Sequence, residues 1–173
     1  MQLEGMAGGR GAVMNIFYKE IDPVVEAKII AQDGSWVRDY GCLVRGEGCY
    51  LVAAVDADND TIAGFAALHP AQWIAPLAEY RDGFIEVIEV AKSYRRQGIG
   101  STLVKKLEHF AADYGYYQIR AWSSCDKTEA LHMWRRLNYC MCPAAMLGAS
   151  VCKGNADIEI AGYYYAKLLN PDR

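Results

Sequence analysis

The stretch Phe84-Ile-Glu-Val-Ile-Glu-Val-Ala91 runs straight into Lys92-Ser-Tyr-Arg-Arg-Gln-Gly-Ile-Gly-Ser101, and the pair decides the fold. The first half alternates, with Phe84, Glu86, Ile88 and Val90 on one face and Ile85, Val87, Glu89 and Ala91 on the other. Its β-branched residues predict a mostly buried strand carrying two carboxylates that face opposite ways. From Ile99 onward, Leu103, Leu107, Phe110, Ala111 and Tyr114 recur at helical spacing, which predicts a long amphipathic helix ending at Gly115. The turn between strand and helix suits an anion. The first N–H groups of a helix have no intrahelical acceptor and lie at the positive end of its dipole. Glycines at 98 and 100 leave bare backbone that a phosphate can approach, with Lys92, Arg95 and Arg96 beside it. Composition alone leaves this turn open between an anion site and a solvated surface turn.

Two phosphate loops are excluded. A dinucleotide fingerprint needs a glycine where Leu103 stands, and a nucleoside-triphosphate loop needs a lysine after Gly100, where Ser101 stands. Arg95-Arg96-Gln97-Gly98-Ile99-Gly100 resembles the Arg/Gln-x-x-Gly-x-Gly/Ala signature of the GNAT superfamily of N-acetyltransferases. Its position matches too, after an Ile-Glu-Val strand and at the opening of a long helix. The resemblance implies an α/β (α+β) fold with a mixed, largely antiparallel sheet of about six to seven strands, splayed at its centre and flanked by helices.

Outward from this core, 173 residues suit one domain with a substantial interior. The expected division is a flexible segment over 1–12 and a single domain over 13–173. A net charge of −3 and a 53% hydrophobic composition argue against nucleic acid as the main partner. No run of about 18 apolar residues exists, so no membrane span is expected. Met1 to Gly11 is glycine-rich and lacks the apolar core of a signal peptide, which predicts a soluble cytoplasmic protein, monomer or homodimer. Six cysteines then read as free thiols, most of them buried. Cys140 and Cys142 have the wrong spacing for a zinc knuckle and would share a face of a strand, so no metal is expected.

The remaining elements follow in order. Val13 to Ile21 predicts a strand, and Asp22-Pro23 starts a helix, with Asp as N-cap and Pro at the first helical position, ending near Asp33-Gly34. Ser35 to Gly46 is open between a short helix and an irregular segment. Cys49 to Val55 and Thr61 to His69 form a hairpin across a polar turn, followed by an apolar connection over Pro70 to Asp82. Tyr117 to Trp122 predicts a strand parallel to the central one. Lys127 to Leu137 predicts a helix, and Tyr139 to Leu147 with Ile158 to Leu168 an antiparallel pair. This is the element order of the GNAT family, so the resemblance covers roughly Val13 to Leu168, with recognisable motifs from Glu86 to Tyr139.

The resemblance implies an acetyl-CoA-dependent N-acetyltransferase that acts by direct transfer on a primary amine of a small molecule or peptide. Acetyl-CoA is then the cosubstrate. Its pantetheine arm would pair with the strand over Ile88 to Val90. Gln97, Gly98, Gly100 and Ser101 would bond the pyrophosphate, with Arg95 and Arg96 alongside. An amine with a pKa of about 10.4 is charged at neutral pH and needs a proton acceptor. Glu86 is the chosen base and Glu89 the reserve, since a buried carboxylate has a raised pKa. Lys127-Thr-Glu-Ala130-Leu-His-Met-Trp134-Arg-Arg-Leu-Asn138-Tyr139 resembles the family's last motif but departs from it. Lys127 replaces an asparagine that contacts the coenzyme, Asn138 replaces a glycine, and Trp134 replaces the tyrosine that protonates the thiolate. Indole is no acid near pH 7. Trp134 would pack beside the coenzyme sulfur, and the departure keeps a second reading open: a catalytically silent acyl-CoA-binding domain.

Overall fold

The computed structural model describes residues 14–34, 36–71, 81–150 and 155–169, of which 145–150 and 155–160 by backbone alone. The N-terminal segment, the apolar residues Trp73 to Tyr80 and Cys152, on all of which the sequence raises expectations, lie outside them. The elements are β1 (Ile16–Glu20), α1 (Pro23–Asp33), α2 (Trp36–Asp39), β2 (Tyr50–Asp56), β3 (Thr61–Ala71), β4 (Asp82–Val90), α3 (Ile99–Tyr114), β5 (Gln118–Ser124), α4 (Thr128–Arg136), β6 (Cys140–Ser150) and β7 (Asn155–Leu168). Asp22 caps α1 as expected, accepting from the Val25 N–H at 2.8 Å. Gly115, in the left-handed region at φ 90°, ends α3 by donating to the carbonyls of Ala111 and Ala112. The segment before Gly46 resolves into the single turn of α2 followed by tight turns.

One seven-stranded sheet carries the order β1-β2-β3-β4-β5-β7-β6. Every neighbouring pair is antiparallel except β4 with β5, which the long α3 crossover makes parallel. Two apolar layers cover its faces. On one, Ile99, Leu103, Val104, Leu107 and Ala111 of α3 pack with Trp134 and Leu137 against Ala66, Leu68, Ile85, Ile119 and Ala121. On the other, Val25 and Ile29 of α1, with Val37, Cys42 and Leu43, cover Leu51, Ala53, Phe65 and Ala67. Each fully buried Leu or Ile stabilises the fold by about 1.5–3 kcal/mol.

The cysteines depart from expectation. Among the described residues only Cys42 is buried, Cys49 is half-buried, and Cys125, Cys140 and Cys142 are exposed. Cys140 and Cys142 do share a face, but β6 is the sheet edge and no described helix covers that face there, so alternation leaves both in solvent. No helix among the described residues is long and apolar enough to cross a membrane.

Candidate active site

The sheet opens between β4 and β5. Their ladder holds only from Asp82 to Ile85 against Gln118 to Ala121. Beyond it β5 stays with β7 as far as Ser124, while β4 stays with β3 as far as Val90. Backbone groups of Glu86 to Val90 that alternate toward the gap therefore have no strand partner among the described residues. The closed end is locked by Asp82, 1% exposed, whose carboxylate meets Arg120 Nε at 3.0 Å and accepts from Gln118 Nε2 at 2.7 Å. Past the last rung, Glu86 stands on one lip of the gap and Trp122 on the other, with Tyr164 paired beside Trp122.

The two glutamates do not face opposite ways. Ala67 pairs with Val87 but Leu68 pairs with Ile85, so Glu86 is the extra residue of a β-bulge. The bulge resets the alternation: Ile85, Ile88 and Val90 pack toward α3, whereas Val87 packs toward α1 and α2. Glu89, between Ile88 and Val90 and paired with Phe65, takes the α1–α2 face. Glu86 joins it, for its charge acts on His69, which lies by the Cys42 backbone in the α1–α2 layer. Glu86 is also exposed rather than buried, and Glu89 is held by Arg95 Nη2 at 3.3 Å. Burial pushes the His69 pKa down and Glu86 pushes it partly back; its Nε2 is buried without a partner among the described residues.

At the far end of the gap the turn has the geometry of an anion cradle. Arg96 at φ 63° and Gly98 at φ 83° are both left-handed, and no described side chain caps the first N–H groups of α3. A Cβ on Gly98 would meet no described atom within 4 Å, so the space above it is open. Gly100 differs: its Cβ would come to 3.2 Å from Met133 Sδ and 3.6 Å from Val90 Cγ2, so it lets α3 sit against β4 and α4. Arg95 is occupied, with Nε donating to the Val90 carbonyl at 3.0 Å and Nη1 at 3.6 Å from Glu129. The Gln97 amide donates to the Ser93 carbonyl at 3.3 Å, Ser101 is half-buried in the first turn of α3, and Lys127 is exposed at the start of α4. Tyr94 anchors the turn from beneath, its hydroxyl donating at 2.8 Å to the buried Asp56 of β2.

Trp134 lies in the core. It is 2% exposed, stacked on Tyr165 with ring centroids 5.0 Å apart and met edge-on by Tyr139 at 4.7 Å. Its Nε1–H is buried without a partner among the described residues. Of the tyrosines on β7, Tyr165 is buried and accepts from Ser123 Oγ at 2.9 Å, while Tyr164 projects the other way and is exposed. Asn138 adopts the left-handed conformation, φ 62°, that its place in the motif implies.

The family model described as "Acetyltransferase (GNAT) family" matches residues 16–139, from β1 to the start of β6. The chain belongs to the GNAT acetyltransferase family. This GNAT protein is 30% identical over 115 residues to the streptothricin acetyltransferase of Streptomyces lavendulae, a match covering 66% of the chain and 57% of that relative's length. Its fold is that of Arabidopsis thaliana NAA60 in complex with acetyl-CoA, with TM-score 0.66, 14% identity, 90% of this chain and 99% of that one covered. It is likewise that of a GNAT family acetyltransferase from Elizabethkingia anophelis with acetyl-CoA bound, with TM-score 0.62, 18% identity and coverage of 89% and 98%. The GNAT sequence pattern did not signal His69, Trp122 or the Asp82–Arg120 lock. Only the bulge and the inter-strand register decide where these residues stand relative to the gap, and neither is visible in local periodicity.

Proposed function

We propose that this protein transfers an acetyl group from acetyl-CoA to a primary amine of a small basic molecule. The observation that carries the reading is the gap itself: a strand edge without a partner over Glu86 to Val90, ending at an uncapped glycine turn. An amide-bearing arm pairs with the edge as a strand does, its backbone contacts falling at Ile88 and Val90. A pyrophosphate fits over the N–H groups of Gly98 to Ser101, with Arg96 beside it. When bound, acetyl-CoA supplies the acetyl group as a thioester. From the opposite face, Glu86 draws the ammonium and accepts its proton, while the rings of Trp122 and Tyr164 offer a cation–π surface. Trp134 supplies no proton; a thiolate, whose pKa is about 8.5, departs without a dedicated acid. The streptothricin relative favours an acceptor of that antibiotic class.

The test is acetyl-CoA consumption with streptothricin, polyamines, aminoglycosides, amino acids and N-terminal peptides. Turnover with a basic small molecule and none with peptides supports the reading. A second reading, a silent acyl-CoA-binding domain, rests on the buried indole of Trp134 where the family carries a phenol. Tight acetyl-CoA binding with no turnover on any amine would favour it.

A further inference from the structure

The rungs of the sheet carry the gap across to the far edge. In one row Phe84 of β4 stands opposite Arg120 of β5, Arg120 opposite Ala166 of β7, and Ala166 opposite Cys140 of β6. In the next row, past the last rung between β4 and β5, Trp122 pairs with Tyr164 and Tyr164 with Cys142. Tyr163 and Tyr165 pack toward α3 and α4, so alternation puts Tyr164 and its cross-strand neighbours on the opposite face, the one Glu86 takes. A Cβ on Gly162 would come to 2.6 Å from Trp122 Cζ2, so the bare backbone there is what lets the indole lie over β7. Beside these rings is an open depression of about 350 Å³, lined by Arg120, Ala166, Cys140, Tyr164 and Cys142. Both thiols and Tyr164 are exposed in it. Thiols pack as small hydrophobes, and no carboxylate stands among the described residues that line it. Its one charge is the Arg120 guanidinium, which meets Asp82 at 3.0 Å. A second ammonium entering there would find a like charge and no counter-ion, whereas an uncharged group buries apolar surface without that penalty.

Resting on the acetyl-transfer reading, we propose that this depression seats the tail of the acceptor. The amine reacts beside Glu86, the body crosses the rings of Trp122 and Tyr164, and an uncharged end settles between Cys140, Cys142 and Arg120. Neighbouring strands lie about 4.8 Å apart, so the two steps from β5 to β6 span about 10 Å. The acceptor class is therefore an elongated amine with its charge at the reacting end and a neutral tail of about 10 Å or more. A polyamine of equal length, which carries a second charge to the far end, fits it worse.

The experiment uses primary amines with neutral amide-bearing tails of increasing length, beside diamines of matching length. With wild type, kcat/KM should climb about tenfold as the neutral tail reaches the depression and then level off, and the diamines should fall behind. C142R, which adds bulk and a cation, should raise KM for the long neutral-tailed amine about tenfold with KM for acetyl-CoA unchanged, and C142S should bring it back toward wild type. Iodoacetamide labelling read by mass spectrometry gives a second measure on wild type alone, with coenzyme A present throughout to prevent turnover. The long amine should slow alkylation of Cys140 and Cys142 several-fold and leave Cys125, exposed past the end of β5, labelling as before. Should C142R fail to fold, the labelling decides. An active enzyme that is indifferent to tail length, that prefers the diamines, or whose Cys140 and Cys142 label at an unchanged rate under saturating acceptor overturns the tail site alone. A wild type inactive on every amine overturns the acetyl-transfer reading and the tail site with it.

Discussion

At the scale of single residues, one inserted residue matters more than any substitution. Strict alternation sends Glu86 and Glu89 to opposite faces, and the bulge brings both to the α1–α2 face. Both carboxylates were legible in the sequence, but the bulge was not, because it depends on how β3 and β4 pair. Their division of labour follows from position: Glu89 is tied to Arg95, whereas Glu86 stands at the mouth of the gap. Glu86→Gln should lower turnover about 10- to 100-fold at pH 7 and less at pH 9, where more amine is already deprotonated. Steady-state rates across that range check it; a constant deficit at both pH values would assign Glu86 to binding instead. Trp134→Phe should lower the melting temperature, because it shrinks a ring packed between Tyr139 and Tyr165, yet leave turnover within about threefold, since the indole N–H has no partner to lose among the described residues. A collapse of activity in a folded variant would give that N–H a role in the cleft.

At the scale of elements, the turn between β4 and α3 was readable to the residue: the helix starts at Ile99 and ends at Gly115 as its spacing predicts. The two glycines nevertheless serve different ends. Gly98 holds a left-handed backbone under open space, and Gly100 allows close packing against Met133 and Val90. Gly100→Asp should therefore both weaken coenzyme binding and strain the seat of α3, whereas Gly98→Ala should change binding with the packing intact. Calorimetry with acetyl-CoA beside thermal melts separates the two effects. Invisible in the sequence was the strut from Tyr94 to Asp56, a contact 38 residues long-range that carries the turn on the β2–β3 hairpin. Tyr94→Phe leaves the buried carboxylate short of a donor and should cost about 1–3 kcal/mol, with a higher KM for acetyl-CoA. An unchanged KM would mean that the turn holds its shape unaided.

At the scale of the molecule, the sheet order was legible because family motif, crossover helix and hairpin signals agree, and where the sheet parts was legible only through resemblance. The parting point is set by Asp82 and Arg120, residues unremarkable in a string of letters. Asp82→Ala should destabilise the protein by about 1–3 kcal/mol, since it removes a buried charge-assisted contact at the closed end; an unaltered denaturant midpoint would argue against this lock. His69 gives stability a pH dependence of known sign. Its folded-state pKa is lowered chiefly by burial, so below about pH 6.5 the unfolded chain takes up a proton that the folded chain resists. Stability should fall as pH drops through that value, and the fall should shrink in His69→Gln, as melting curves at pH 7 and 5.5 would register. The gap has a last consequence, for the lifetime of the protein in a cell. An open strand edge in mid-sheet invites pairing with any extended chain, and in the proposed binding mode a pantetheine arm would take that edge as a substitute strand. Ligand then adds RT ln(1 + [L]/Kd) to stability, about 2.7 kcal/mol at a hundredfold excess over Kd. Proteolysis and aggregation should thus accelerate when the coenzyme pool is depleted, making abundance a readout of metabolic state.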